Sequence, residues 1–214
     1  IRNPLSSINH AAELMHEDAE RTGRRAEDAR LLTIIRDNAY RLDRMVQEVL
    51  YLNRRDRAQP EPIDVQDYLG RFLSDFAGNE KLDPAMIEVR IDTQRKAMFD
   101  RSHFDQVLWN LVRNACHHAS RQAGSVLLHF HEVDGAGVAA LDIIDDGPGV
   151  SGEAIPHLFE PFFTTASTGT GLGLYIAREL ADVNAARLEF VPDVSDSRKG
   201  ARFRITFTGV HTSA

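Results

Sequence analysis

Three short stretches carry residue types suited to holding a flat, phosphorylated ligand. In NLVRNA, Asn110 and Asn114 stand four residues apart, which on a helix places both carboxamides on one face. Neutral, hard oxygens there suit Mg²⁺, which keeps water and phosphate as its other ligands; paired Asn on a helix are also commonly just solvated. In DIIDDGPGV an apolar run ends at the carboxylate of Asp145, followed by Gly147, Pro148 and Gly149. A carboxylate at a strand end can accept a hydrogen bond from an exocyclic amine, and glycines let the backbone approach a flat ring. A tight turn with incidental aspartates would read the same way. In GTGLGL, residues 169–174, glycines open a helical pattern, and free N–H groups at a helix N-terminus make a phosphate site. This is not a dinucleotide fingerprint, because the sixth position is Leu174 and FFTTAST rather than a buried strand precedes it. No G-x-x-x-x-G-K-[ST] loop occurs.

The pattern around these stretches defines the elements that must position them. Leu5, Ile8, Ala12, Met15 and Ala19, then Leu31, Ile35, Asn38, Leu42, Met45, Val49 and Leu52, follow 3-4 spacing, the seam of two helices packed at a shallow angle. ERTGRRAED between them suits a turn. A hairpin with so little else to bury is expected to pair with a second copy as a four-helix bundle. RDRAQPEPID, with two prolines, reads as a connector. The expected domains are therefore 1–57, a helical hairpin; 58–63, a linker; and 64–214, an α/β unit.

Within the last unit, VQDYLGRFLSDFAG and DRSHFDQVLWNLVRNACHHA read as helices, the second with Asp100 or Ser102 as its cap. IEVRIDT, SVLLHFHEV, GVAALDIID, ARLEF and ARFRITF read as strands, with DGAG joining the second and third as a hairpin. Helices on one face of a mixed sheet follow, so the fold class is α+β. His129 and His131 alternate on one strand face without an evident third metal ligand, and a solvated face is expected there.

Composition narrows the partners. The chain of 214 residues has a formal charge of −7, which argues against non-specific nucleic-acid binding. Residues 1–57 carry 11 basic and 10 acidic side chains, and residues 58–214 carry 14 and 22. No stretch reaches the ~18 apolar residues of a membrane span. The single cysteine, Cys116, forms no internal disulfide and fits a reducing compartment.

The order of Asn helix, Asp-Gly turn, FEPFFTT and GTGLGL is far more specific than any one part, and it resembles the ATP-binding domain of sensor histidine kinases. That Bergerat-type α/β sandwich is shared with gyrase and heat-shock chaperone ATPases. The helical hairpin is similar to the kinases' dimerisation and phosphotransfer domain, so the resemblance covers essentially the whole chain. IRNPLSSINHAAELM and IIRDNAYRLDRMVQEVL look most like the nitrogen-regulation group, and within it the type IV pilus sensors. The resemblance implies Mg-ATP as cofactor, with Asn114 and Asn110 as metal ligands. It implies Asp145 as acceptor of the adenine amine, Gly147 and Gly149 shaping that pocket, and His118 lying against the ring. Residues 151–170 would be an ATP lid anchored by Phe159, Phe162 and Phe163. Gly169, Thr170, Gly171, Leu172 and Gly173 would meet the phosphates. It further implies a homodimer, a response-regulator receiver domain as partner, and no nucleic acid. Cytoplasmic placement is implied, with membrane anchoring only through regions ahead of this chain.

Aligning the family's His-Glu-x-x-Asn-Pro-Leu on Asn3, Pro4 and Leu5 puts the phosphoacceptor two residues before Ile1. Asn3 would then position water for phosphatase chemistry. His10, eleven residues after the acceptor position, is ~16 Å along the helix axis and is expected to be a surface histidine. Two other readings share the site: a serine kinase or ATPase of this fold, and a non-catalytic docking module retaining ATP binding. The lid departs from the pattern in holding no Lys or Arg between 151 and 170. His117 stands where a base that is always charged is usual, with Arg113 or Arg178 as other sources of charge. Because histidine titrates near neutrality, ATP affinity is expected to rise as pH falls from about 8 to about 6. Titration calorimetry at three pH values checks this, and a flat response excludes His117 as the phosphate's cation.

Overall fold

The computed structural model describes residues 58–133, 137–166, 169–192, 200–208 and 210–211, together with 8, 10, 12–15, 17, 32–40, 42, 43 and 46. It divides into two compact units, one of Ile1–Asn53 with Pro161–Leu172 and one of Arg54–Glu160 with Gly173–Ala214. Asn3, the expected turn at residues 20–28 and the connector residues 55–57 lie outside the described residues.

In the first unit, residues 12–15 and 32–40 are helical, and Tyr40 hydrogen-bonds Glu13 from one helical segment to the other. The expected seam is only partly buried within the chain. Ala12, Leu32 and Ala39 are buried, whereas Ile8, Met15, Ile35 and Leu42 are exposed. A helix in a four-helix bundle needs two apolar faces, and heptad spacing does not say which one meets the neighbouring helix of its own chain. Burial within one chain marks only that face, here the stripe through Leu32 and Ala39. His10 is exposed.

In the second unit, helices are numbered from α1. Strand β1 (Glu61–Asp64) leads into α1 (Val65–Glu80), then β2 (Ile87–Ile91), β3 (Lys96–Phe99), α2 (Arg101–His118), β4 (Val126–Val133), β5 (Val138–Asp145), α3 (Gly173–Val183), β6 (Ala186–Phe190), β7 (Arg202–Phe207) and β8 (Val210–His211). The main sheet has the order β2-β4-β5-β7-β6. Its β2–β4 pair is parallel and the rest are antiparallel. A small antiparallel sheet runs β1-β3-β8. Residues 61–63, read from sequence as linker, are thus strand: Ile63 is buried, and Pro62 is tolerated because β1 lies at the sheet's edge. KAMF, residues 96–99, was also not legible as a strand, since four residues are too few to show alternation.

The helices start where side chains cap them. Asp64 accepts from Asp67 N for α1. Asp100 rather than Ser102 caps α2, accepting from His103 N at 3.1 Å and from Ser102 Oγ at 2.7 Å. Helix α2 packs on β4, β5 and α3, and α3 packs on β6. Buried Asn184 locks the two helices: its Oδ1 accepts from Asp100 N at 2.7 Å, and its Nδ2 donates to Leu180 O and to His103 Nδ1. The core is aromatic around Phe104, whose ring centroid lies 5.1 Å from Tyr68, 5.2 Å from Phe99 and 6.0 Å from Phe207.

On the other face of the sheet, His129 Nε2 pairs with Asp92 Oδ2 at 2.6 Å, and His131 Nε2 with Asp142 Oδ2 at 3.2 Å. Arg204 completes the network with two 2.7 Å bonds to Asp142. The two histidines are therefore hydrogen-bonded to carboxylates on a face that is partly exposed, as expected. Among the described residues no group of three or more His, Cys, Asp or Glu could hold a metal ion.

Phe104→Ala removes a fully buried ring and is expected to cost about 3–5 kcal/mol of unfolding free energy, measured by urea denaturation of the whole chain.

Candidate nucleotide-binding site

Asp145 ends β5 with only 2% of its surface exposed. Its Oδ1 accepts from Gly147 N at 2.9 Å and from Ala201 N at 3.2 Å. Among the described residues its Oδ2 accepts no hydrogen bond, so one lone-pair edge is left for a ligand. Burial raises the carboxyl above its usual range, opposed by the two backbone donors and by His118, with Asp146 adding to the rise.

Glycines build the walls of this niche. A Cβ on Gly147 would lie 2.5 Å from the His118 carbonyl oxygen and 2.8 Å from Asp145 Oδ1. Gly149 has φ +75° and would place a Cβ 3.3 Å from Gly200 O. Gly200 lies so close that a Cβ would overlap the Asp145 carbonyl. Gly200 and Ala201 were missed in the sequence because they stand more than fifty residues downstream, and only strand pairing brings them beside Asp145.

Helix α2 supplies the other expected groups. Asn110 and Asn114 are partly exposed, and the Asn110 carboxamide lies against the first residue of α3, with Oδ1 3.5 Å from the position of a Cβ on Gly173. Asn110 Nδ2 is buried with no hydrogen-bond partner among the described residues. A buried amide donor left without a partner is costly, and its place beside a glycine at a helix start is one that phosphate or water would complete. Two neutral carboxamides and this orphaned donor therefore fit a hydrated Mg²⁺ carried by phosphates. His117 and His118 form an edge-on pair with centroids 5.0 Å apart. Desolvation first, then the neighbouring His117, lowers the His118 pKa, with Asp145 opposing. A neutral imidazole is thus favoured at the end of α2.

The two arginines considered as phosphate cations have other partners. Arg113 pairs with Glu80 at 3.5 Å. Arg178 lies 5.0 Å over the Phe159 ring and donates to Phe159 O at 3.3 Å.

In the first unit, Thr170 and Leu172 are buried, and Thr170 Oγ1 accepts from Leu172 N at 3.4 Å. Gly171, at φ +72°, packs directly on the Phe162 backbone, and Gly169 packs as tightly on Thr164. Of the three lid phenylalanines, Phe159 meets Phe203 at 6.3 Å. Phe162 is instead 66% exposed. Its φ of +68° puts it in the left-handed region, so the backbone turns and Phe162 does not serve as the expected anchor.

A glycine-walled aspartate at a strand end, with an asparagine-bearing helix beside it, marks one class of nucleotide domain. Residues 99–209 match the family model of histidine kinase-, DNA gyrase B- and HSP90-like ATPases, and residues 1–58 match the His Kinase A (phospho-acceptor) domain. The chain belongs to the sensor histidine kinases. It is 39% identical over 212 residues to the sensor protein kinase PilS of Pseudomonas aeruginosa, covering 97% of this chain and 38% of that protein. It is 30% identical to the sensor histidine kinase ZraS of Salmonella typhi, covering 96% and 43%. The chain thus spans about four-tenths of the length of these relatives. Among solved structures, full-length ShkA in complex with AMPPNP superposes with a TM-score of 0.67 at 26% identity, covering 100% of this chain and 44% of that one. The Acinetobacter baumannii histidine kinase AdeS shares the fold, with a TM-score of 0.61 at 21% identity.

Asp145→Asn keeps an Oδ1 that accepts from Gly147 and Ala201 but turns the free acceptor edge into a donor. ATP affinity is expected to fall more than about tenfold, the weight of a lost hydrogen bond to a charged group. A raised folded-state pKa gives stability that is present below the unfolded pKa and lost as pH rises through the folded one. The Asn variant should therefore melt no lower than wild type at about pH 8, and any advantage should vanish on acidification. Calorimetric melts with parallel ATP titrations check both.

Proposed function

We propose that this chain is the catalytic core of a kinase that moves the γ-phosphoryl group of ATP to a histidine, and from there to an aspartate of a response regulator. The observation that supports this best is the buried Asp145, whose one free oxygen suits the adenine amine while glycines leave room for the ring. The neutral imidazole of His118 offers a flat wall to the base. Asn110 and Asn114 present carboxamide oxygens toward the metal of Mg-ATP, and the bound metal would neutralise charge on the triphosphate. Backbone N–H groups of Gly169, Thr170, Gly171, Leu172 and Gly173 are the phosphate donors in this reading, aided by the α3 dipole.

The nucleotide-binding residues themselves supply no nucleophile, since their part in phosphoryl transfer rests on positioning and electrostatics. The acceptor is the histidine that the family motif places two residues ahead of Ile1. Its ring nitrogen attacks phosphorus, the bond to the β,γ-bridging oxygen breaks, and ADP leaves. Asn3 is the residue proposed to orient water when the regulator is dephosphorylated. Ile8, Met15, Ile35 and Leu42, exposed within one chain, suit the interface of a homodimer through the hairpin. The described helices contain no candidate membrane span, and attachment to a membrane belongs in this reading to other parts of the parent protein.

The test compares this chain with one extended backwards by His-Glu, both incubated with Mg-ATP labelled on the γ-phosphate. Acid-labile, base-stable protein label is expected only in the extended chain. Label in both would move the acceptor to a residue present here, with His10 the first to substitute. Label in neither, with ATP still bound, would favour the docking-module reading that the lid without basic residues suggests.

A further inference from the structure

The turn that carries Asp145 is tied to the end of α2 by two residues outside the nucleotide-binding set. Helix α2 ends at His118, and Ala119 beyond it is extended at φ −66°, ψ 160°. Ser120 then turns both its donors onto one carboxylate: Ser120 N lies 2.8 Å from Asp146 Oδ1, and Ser120 Oγ lies 2.6 Å from Asp146 Oδ2. Asp146 N in turn donates to Ser125 O at 3.1 Å. One residue further, the Gly147 backbone runs against the His118 carbonyl with no room for a Cβ.

Asp145 belongs to the sheet and His118 to a helix end, so nothing within either element sets the gap between them. The packing of α2 on β4 and β5 sets that gap broadly, and the Ser120–Asp146 contact and the Gly147–His118 approach fix it beside Asp145. We infer that Ser120 and Asp146 are positioning residues that set nucleobase specificity, by holding the ring of His118 and the free oxygen of Asp145 at the spacing a 6-aminopurine requires. This rests on the reading of Asp145 and His118 as the base-recognising pair. Hydrogen bonds weaken steeply with angle, so a slack clamp loses the amine contact before it loses contacts to phosphate. Asp146 also acts on Asp145 as a neighbouring negative charge, so the test must separate charge from geometry.

The probes are ATP and ITP, which differ at the 6-position where ITP carries an oxygen in place of the amine. Dissociation constants are measured on the whole chain, with a thermal melt of every variant. Wild type is expected to prefer ATP. Asp146→Ala and Ser120→Ala should lose about five- to tenfold in ATP affinity, the scale of one hydrogen bond, with ITP affinity nearly unchanged, so that the preference shrinks. Asp146→Asn, which keeps an acceptor for Ser120 N and gains a donor for Ser120 Oγ while removing the charge, should restore the preference, as should Ser120→Thr. Equal losses for both nucleotides with a lowered melting temperature would reduce the clamp to a structural contact and overturn the inference. Unchanged ATP-to-ITP ratios in both alanine variants would overturn it as well. A wild type that binds both nucleotides equally would instead bring down the reading of Asp145 itself, and the inference with it.

Discussion

Burying a carboxylate costs several kcal/mol unless hydrogen bonds replace its lost water. At Asp145 the replacement is half complete by design of the backbone: two N–H groups hold Oδ1, and Oδ2 stays open. The raised pKa records the remaining cost. Much of the surrounding structure serves this one residue. Strand β5 is buried along nearly its whole length, so the acid sits at a fixed end of a rigid central strand. Gly147 and Gly200 come close enough that side chains there would displace it, and Gly149 packs on Gly200.

The helices complete the site through a second constraint. Helices α2 and α3 pack on each other, and buried Asn184 adds a polar lock by joining the start of α2 to the end of α3. With that register set, Asn110 rests beside Gly173. The same register leaves Asn110 Nδ2 buried and without a partner, a small instability tolerated where a ligand can relieve it.

The basic side chains of α2 and α3 are tied up within the second unit. Arg113 and Arg178 are engaged by Glu80 and Phe159. Across the opposite face, the strand registers line up Arg90, His129, Asp142, Arg204 and Glu189 as one row spanning all five strands. There Asp142 keeps a lowered pKa against its burial because Arg204 and His131 face it. Its ionised form adds stability at neutral pH that is lost as pH falls through the folded value.

Local pattern determined the elements and their order. Periodicity marked α1, α2, α3 and the five strands of the main sheet, and the spacing of Asn110, Asn114, Asp145 and the glycines marked the candidate binding residues, because those signals repeat within a few neighbours. The short β1 and β3 escaped, since four residues show no period and Pro62 argued against a strand. The hairpin's apolar residues were legible, yet which face stays within the chain was not, because heptad spacing is shared by both faces. Tertiary structure alone decided that Ala201 and Gly200 close over Asp145, that Ser120 grips Asp146, and that Asn184 sets the helices. These contacts join residues 26 to 84 positions apart, and a hydrogen bond across such a distance depends on how sheets and helices pack rather than on any pattern along the chain.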